Sequence, residues 1–110
     1  MAFDFIQEHP DFKFTLQEKF TQKAEQLLNK EGFNKTLLLT VVFMTDEDLL
    51  TINKKHLNHD HFTDIITFPI EEDEECLEAE IYMSIDSIRD NAIEYKNHFN
   101  LELLRVFLHG

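Results

Sequence analysis

Six histidines and twenty-two carboxylates in 110 residues make metal binding and acid–base work the first chemistries to weigh. His56, His59 and His61 fall close together with Asp60 and Asp64, and imidazole and carboxylate are the usual ligands of zinc. The spacing His-x-x-His-x-His matches no single helix face. The polar stretch 53–61 reads as a loop, so a solvated connector is expected first, a substrate-contacting loop next and a metal site last. His109 is different, because it ends a strongly apolar run and stands just before Gly110. Taken alone, one helical histidine is more often a packed or solvated residue than a ligand. Asp64 and Glu80 fall on two segments that read as adjacent strands, where a carboxylate pair could do general acid–base work. Capping or solvent exposure is the plainer expectation for both. Cys76 is the one cysteine. It sits among acids, a poor setting for a nucleophile, and it excludes an intrachain disulfide and a Cys-rich zinc knuckle. No Gly-rich phosphate loop, dinucleotide fingerprint or Ser-His-Asp arrangement can be placed.

The elements that must position these groups follow from periodicity. Phe3, Phe5, Phe12 and Phe14 alternate with polar residues, which predicts one strand or two short ones broken near His9-Pro10. Thr15 with Glu18 three places on forms a capping-box pattern. Leu16, Phe20, Ala24, Leu27 and Leu28 then share one helical face, and Gly32 supplies the stop. The run from Leu37 to Met44, apolar apart from Thr40, predicts a central strand buried on both faces. Thr45 or Asp46 caps a short helix with Leu49, Leu50 and Ile52 inward. Thr63 to Phe68 predicts a strand that Pro69 stops, and the acidic run 71–75 predicts a solvated loop. Glu80 to Ile85 is the fourth strand. Asp86 or Ser87 caps a helix carrying Ile88, Ala92, Ile93 and Tyr95. Asn100 caps a last helix that is apolar on nearly every side and therefore core. This order predicts a single α/β (α+β) domain over residues 1–110, with a mixed four-stranded sheet and packed helices.

Composition narrows the function classes. Apolar residues make up 43% of the chain and phenylalanine is over-used, at 11 residues with no tryptophan, so aromatic rings are expected to supply much of the core. The longest apolar stretch is far too short to span a bilayer. The N-terminus Met-Ala-Phe-Asp-Phe lacks the basic region of a secretory signal, so the expected location is cytoplasmic. The formal charge of −12 repels phosphate at long range and gives no support to bulk nucleic-acid binding.

Three stretches together point further. The segment from Asn53 through His56-Leu57-Asn58 to Thr63-Asp64-Ile65-Ile66-Thr67-Phe68-Pro69 resembles the YbeY family pattern of a Leu-Asn start, a variable loop with an Asp, and Thr-Asp-Val-Leu-Ser-Phe-Pro. Ala79-Glu80-Ile81-Tyr82-Met83-Ser84-Ile85 looks like that family's Gly-Asp-Ile-x-Ile-Ser strand. Leu108-His109-Gly110 looks like the opening of its His-Gly-x-x-His-x-x-Gly-x-x-x-His signature. Order and spacing agree across the whole chain.

The resemblance implies a zincin-like metalloprotein fold. It implies a metal-dependent, single-strand-specific endoribonuclease acting in small-subunit rRNA maturation and ribosome quality control. Three histidines would bind one zinc ion and leave a position for water, whose pKa the metal lowers. His109 is the first of them, and the other two would follow Gly110. On that basis the expectation is a C-terminally truncated chain that binds no zinc by itself and is inactive. Asp64, Thr63, Lys54, Lys55 and Glu80 are the candidate substrate contacts. Leu57 stands where many members carry an arginine, with Lys54 and Lys55 as the cations that would substitute. The implied partners are single-stranded rRNA and the ribosomal small subunit or its assembly factors, with no membrane. A shortened last helix is also expected to expose Leu104, Phe107 and Leu108 and to favour self-association. The competing reading is a non-catalytic acidic adaptor that docks on ribosomal or ribosome-assembly proteins, for which a charge of −12 is well suited.

Overall fold

The computed structural model describes residues 2–109 apart from 13, 15, 16, 33, 34, 58–62 and 97, with the backbone alone at 56, 57, 100 and 109. Eight elements follow in the order β1 (Ala2–Gln7), α1 (Gln17–Lys30), β2 (Thr36–Met44), α2 (Asp46–Leu57), β3 (Ile65–Glu72), β4 (Cys76–Ser84), α3 (Ile85–Glu94) and α4 (Phe99–His109). The four strands form one mixed sheet in the order β1-β2-β4-β3. β1, β2 and β4 are parallel, and β3 closes an antiparallel hairpin with β4. Helices connect the parallel strands because such strands need a crossover, whereas the hairpin needs only a turn.

Period-two alternation decides which helix covers which face. The odd positions Leu37, Leu39, Val41 and Phe43 of β2 and Ala79, Ile81 and Met83 of β4 point to one side, where they pack with residues of α1, α3 and α4. The even positions Val42 and Met44 point to the other, where they pack with Leu49 of α2 and Ile66 of β3. The first side carries most of the phenylalanine. Phe43 is fully buried, with the rings of Phe14, Phe12 and Phe5 at 5.1, 5.3 and 6.0 Å. The second side is covered only in part, because one short helix cannot span four strands. Ile6 and Leu38 therefore stay exposed, and the expected two-sided burial of β2 fails at its first turn.

Several sequence expectations need correction. Phe12 and Phe14 form no second strand. They sit in the β1–α1 loop, held by the Phe14 N–H donating to Gln7 Oε1 (2.7 Å), and their rings enter the core. The capping-box Thr15 and the inward Leu16 lie outside the described residues. α2 runs on to Leu57, so Lys54 and Lys55 are helical and exposed, and Asn53 is buried. The local polarity suggested a loop, but one apolar side is enough to hold a helix against a sheet. β3 continues past Pro69 to Glu72, with a register shift between Pro69 and Glu71. Proline is tolerated there because β3 is an edge strand whose outer amides need no partner. Glu71 and Glu72 are thus in the sheet rather than a loop. β4 starts at Cys76, and α3 is capped by Ser84, which accepts from the Ser87 N–H, rather than by Asp86 or Ser87. α4 begins at Phe99, so Asn100 lies inside it. Of the three residues expected to be exposed on α4, Leu104 and Phe107 are buried and only Leu108 is half-exposed. Gly32 does end α1, at φ +84°, a conformation that a Cβ disfavours.

Candidate functional site

The C-terminal ends of the parallel strands gather a polar cluster that the sequence did not announce. Asp46, the first residue of α2, accepts from the hydroxyls of Ser84 and Ser87 through Oδ1. Its own N–H donates to Asp86 Oδ2 at 3.0 Å. Asp86 Oδ1 accepts from His9 Nε2 at 2.8 Å, and His9 Nδ1 accepts from the Asp11 N–H at 3.1 Å. That last bond assigns the tautomer, since a neutral ring accepting at Nδ1 must carry its proton on Nε2. The cluster ties the β1–α1 loop to the N-termini of α2 and α3, where carboxylates also face the positive ends of the helix dipoles. Among the described residues no buried side-chain polar atom lacks a partner, and the bonds of this cluster fasten the loop to the two helices.

Asp86 gives the cluster a pH signature. Burial raises its pKa, but the hydrogen bonds from the Asp46 N–H and from His9, with the charge of Arg89, outweigh this and hold it below its ordinary value of 3.8. A depressed carboxylate contributes stability above its unfolded pKa and loses it as the pH falls through the folded value. Thermal unfolding midpoints are therefore expected to drop on acidification from about pH 4 downward. Asp86→Asn is expected to unfold at lower temperature near neutrality and to show a shallower acid limb. An acid limb unchanged by that substitution would rule out Asp86 as its source.

A second corner forms where the start of β3 meets α3 and α4. The backbone carbonyl of Asp64 accepts from the Ser84 N–H at 2.9 Å, and its carboxylate lies 3.5 Å from Asn91 Nδ2. Arg105 of α4 donates to the fully buried Glu102 (Nε to Oε1, 2.8 Å) and lies 5.7 Å over the Tyr95 ring. The Glu102 hydrogen bond outweighs the opposing effect of burial and, with the charges of Glu102, Tyr95 and Asp64, raises the Arg105 pKa. Arg105 stays a cation, half-exposed, close enough to Asp64 to feel its charge. It also stands four residues before His109, so the two share one face of α4. The sequence signal for Arg105 was that i, i+4 relation to His109; Asn91 left none.

The remaining candidates divide between places. Thr63 bonds locally, its hydroxyl donating to the Ile65 carbonyl at 3.3 Å. Glu80 is opposite Phe68 in the hairpin, while Asp64 is level with Ser84. Four residues of strand, roughly 13 Å, separate them, so they form no acid–base pair. Glu80 also belongs to the face covered by α2, the face away from α4. There it lines a pocket of ≈ 290 Å³ with Ile52, Phe68 and Tyr82, and Tyr82 Oη donates to Glu80 Oε2 at 2.8 Å. Lys54 and Lys55 lie on α2, on that same side of the sheet. His59, Asp60 and His61 lie outside the described residues. For His56 and His109 the helix backbone is described but not the side chain.

Burial, the Glu80 hydrogen bond and the charges of Glu80 and Glu8 push the Tyr82 phenol up to about 12. A raised pKa favours the neutral phenol, so this contribution is complete below pH 10 and lost between there and about 12. An ultraviolet tyrosinate titration is expected to show one ionisation near that upper value, and Glu80→Gln to move it down. A variant titrating as before would mean that Glu80 does not control the phenol.

Among the described residues no group of three or more His, Cys, Asp or Glu side chains converges as a metal ion requires. The described donors do not fit a zinc centre by themselves.

A mixed sheet packed by four helices, with a polar strand end and a cationic corner beside it, defines an α/β domain of the kind that carries sites at its strand ends. Comparison with known proteins gives the particular family. The endoribonuclease YbeY family model matches residues 2–110, and the chain belongs to that family. It is 38% identical to an endoribonuclease YbeY of Cytophaga hutchinsonii over 105 residues, covering 90% of this chain and 73% of the relative. It is 35% identical to one of Chlorobium phaeovibrioides over 105 residues, covering 96% and 70%. The solution structure of TM1509 from Thermotoga maritima superposes with a TM-score of 0.65 at 28% identity, over 99% of this chain and 69% of that one. Among the described residues no helix is long and apolar enough to cross a membrane.

Proposed function

We propose that the protein acts as a single-strand-specific endoribonuclease in maturation of small-subunit rRNA and in ribosome quality control. The observation that carries this reading is the family match across residues 2–110. In the proposal RNA lies against the corner of Asp64, Thr63, Asn91 and Arg105, with Arg105 meeting a phosphate and offsetting part of the repulsion of an acidic chain. Lys54 and Lys55 supply further positive charge from α2, on the other side of the sheet. A zinc ion, when bound, would supply an activated water and neutralise phosphate charge, with His109 as one ligand. The motif that opens at His109 calls for two further imidazoles, so the reading is tested on a chain that carries all three. Tested by itself, the 110-residue polypeptide is expected to take up no zinc and to leave RNA uncut.

The experiment compares cleavage of a single-stranded RNA with that of a fully paired duplex, using a chain that carries all three histidines. Cleavage confined to the single strand supports the reading, and no cleavage with metal present ends it. Arg105→Ala is expected to raise KM several-fold more than it lowers kcat, the pattern of a lost phosphate contact. An unchanged KM would remove Arg105 from the substrate path. The adaptor reading, docking on ribosomal or assembly proteins without chemistry, draws on the charge of −12. Retained binding to a basic ribosomal protein without cleavage would favour it.

A further inference from the structure

The two edges of the sheet are built differently. β3 carries the devices by which proteins block strand addition, namely Pro69, a register shift beside it, and the exposed charges of Glu71 and Glu72. β1, at the other edge, reads Ala-Phe-Asp-Phe-Ile-Gln, with no proline, no lysine and a regular register. Which of its amides face outward follows from the ladder. Glu8 N–H donates to the Phe43 carbonyl at 2.9 Å, and alternate residues of a strand turn their backbone groups to opposite sides. Asp4 and Ile6 therefore bond β2, while Phe3, Phe5 and Gln7 direct N–H and C=O away from the sheet. Those same phenylalanines wall a groove of ≈ 340 Å³ between β1 and α1, completed by Gln17, Glu18, Thr21 and Gln22. On the opposite face of β1 the exposed side chains are Asp4, Ile6 and Glu8.

The geometry points to β1 as a docking edge for an extended, basic segment of a partner protein, added to the sheet as a fifth strand. Backbone pairing would come from Phe3 and Phe5. Side chains of the added strand alternate. One set would enter the groove over the Phe3 and Phe5 rings, and the other would lie beside Asp4 and Glu8, which calls for apolar and basic residues in alternation. Charge decides between partner classes. A second copy would bring a further −12 to an edge that already holds Asp4 and Glu8, whereas a basic strand is attracted to it. This inference does not depend on the ribonuclease reading.

The test uses a short synthetic peptide alternating lysine and valine, the same peptide N-methylated on alternate backbone nitrogens, and a glutamate–valine analogue. Binding is followed by amide NMR and hydrogen exchange of the whole chain. The lysine peptide is expected to shift and protect the Phe3 and Phe5 amides. N-methylation is expected to weaken it about tenfold or more, because each methyl removes a backbone donor. Asp4→Lys, at an exposed position that leaves the core untouched, is expected to move the preference from the lysine to the glutamate peptide. Equal binding of the N-methylated peptide, protection elsewhere than β1, or a preference unmoved by Asp4→Lys would each overturn the proposal. So would protection of the same amides that grows with protein concentration and needs no peptide, since the occupant would then be a second copy.

Discussion

Replacing Phe43 by alanine is expected to cost about 3–5 kcal/mol of folding stability, the usual range for a fully buried phenylalanine. Phe43 is fully buried at the end of the central strand β2. It touches a ring from β1 and two from the β1–α1 loop, so truncation empties the junction that joins the loop to the sheet. A domain of this size has about 5–15 kcal/mol in total, and each lost kcal/mol lowers the melting temperature by roughly 4–8 °C. The variant should be partly unfolded at physiological temperature. Phe43→Leu, which leaves a smaller cavity, should cost clearly less. Equilibrium urea unfolding measures both. A loss below about 1 kcal/mol for the alanine variant would mean that the loop rings collapse into the space, contrary to a rigid aromatic junction.

The second large effect concerns His109. Under the proposed ribonuclease reading, His109→Ala in a chain carrying all three imidazoles is expected to remove stoichiometric zinc and lower RNA cleavage at least about 100-fold. Loss of a group that merely orients a ligand already costs 10–100-fold, and loss of a ligand should cost no less. Metal content by elemental analysis, read beside the circular dichroism spectrum and the melting temperature without metal, separates loss of a ligand from simple unfolding. For a residue that acts as a ligand, both are expected to change little. A variant that keeps its zinc and its activity would remove His109 from the metal site, and one that loses its fold would make the residue structural.

The corner around Arg105 shows how a site can be half visible before the chain is folded. His109 was legible through the motif that opens at its position, and Arg105 is its helical neighbour by arithmetic alone. That Asp64 and Asn91 come to the same place depends on β3 turning back beside β4, and on α3 and α4 packing on one side. No local pattern encodes that meeting. The same limit left a pairing of Asp64 with Glu80 open in the sequence, beside the plainer expectation of capping or exposure. Adjacency of strands was legible, but register and face were not, and strand pairing at the observed register keeps the two carboxylates apart.

By itself the sequence determined the type and order of the elements from α1 onward, because alternation and helical periodicity are written directly into which residues are apolar. It also determined that β2 is central, that Gly32 stops α1, and, through the motifs from Thr63 to Pro69, Ala79 to Ile85 and Leu108 to Gly110, which family the chain resembles. Only the tertiary structure decided the rest. It carried β3 through Pro69 because an edge strand needs no outer partner, and it extended α2 over a polar stretch because one buried face suffices. It also drew His9, Asp46, Ser84 and Asp86 into one fastening. These outcomes depend on contacts between residues up to |i−j|=77 apart in the chain. Such contacts are set by which faces must leave water together, and local preference along the chain holds no record of them.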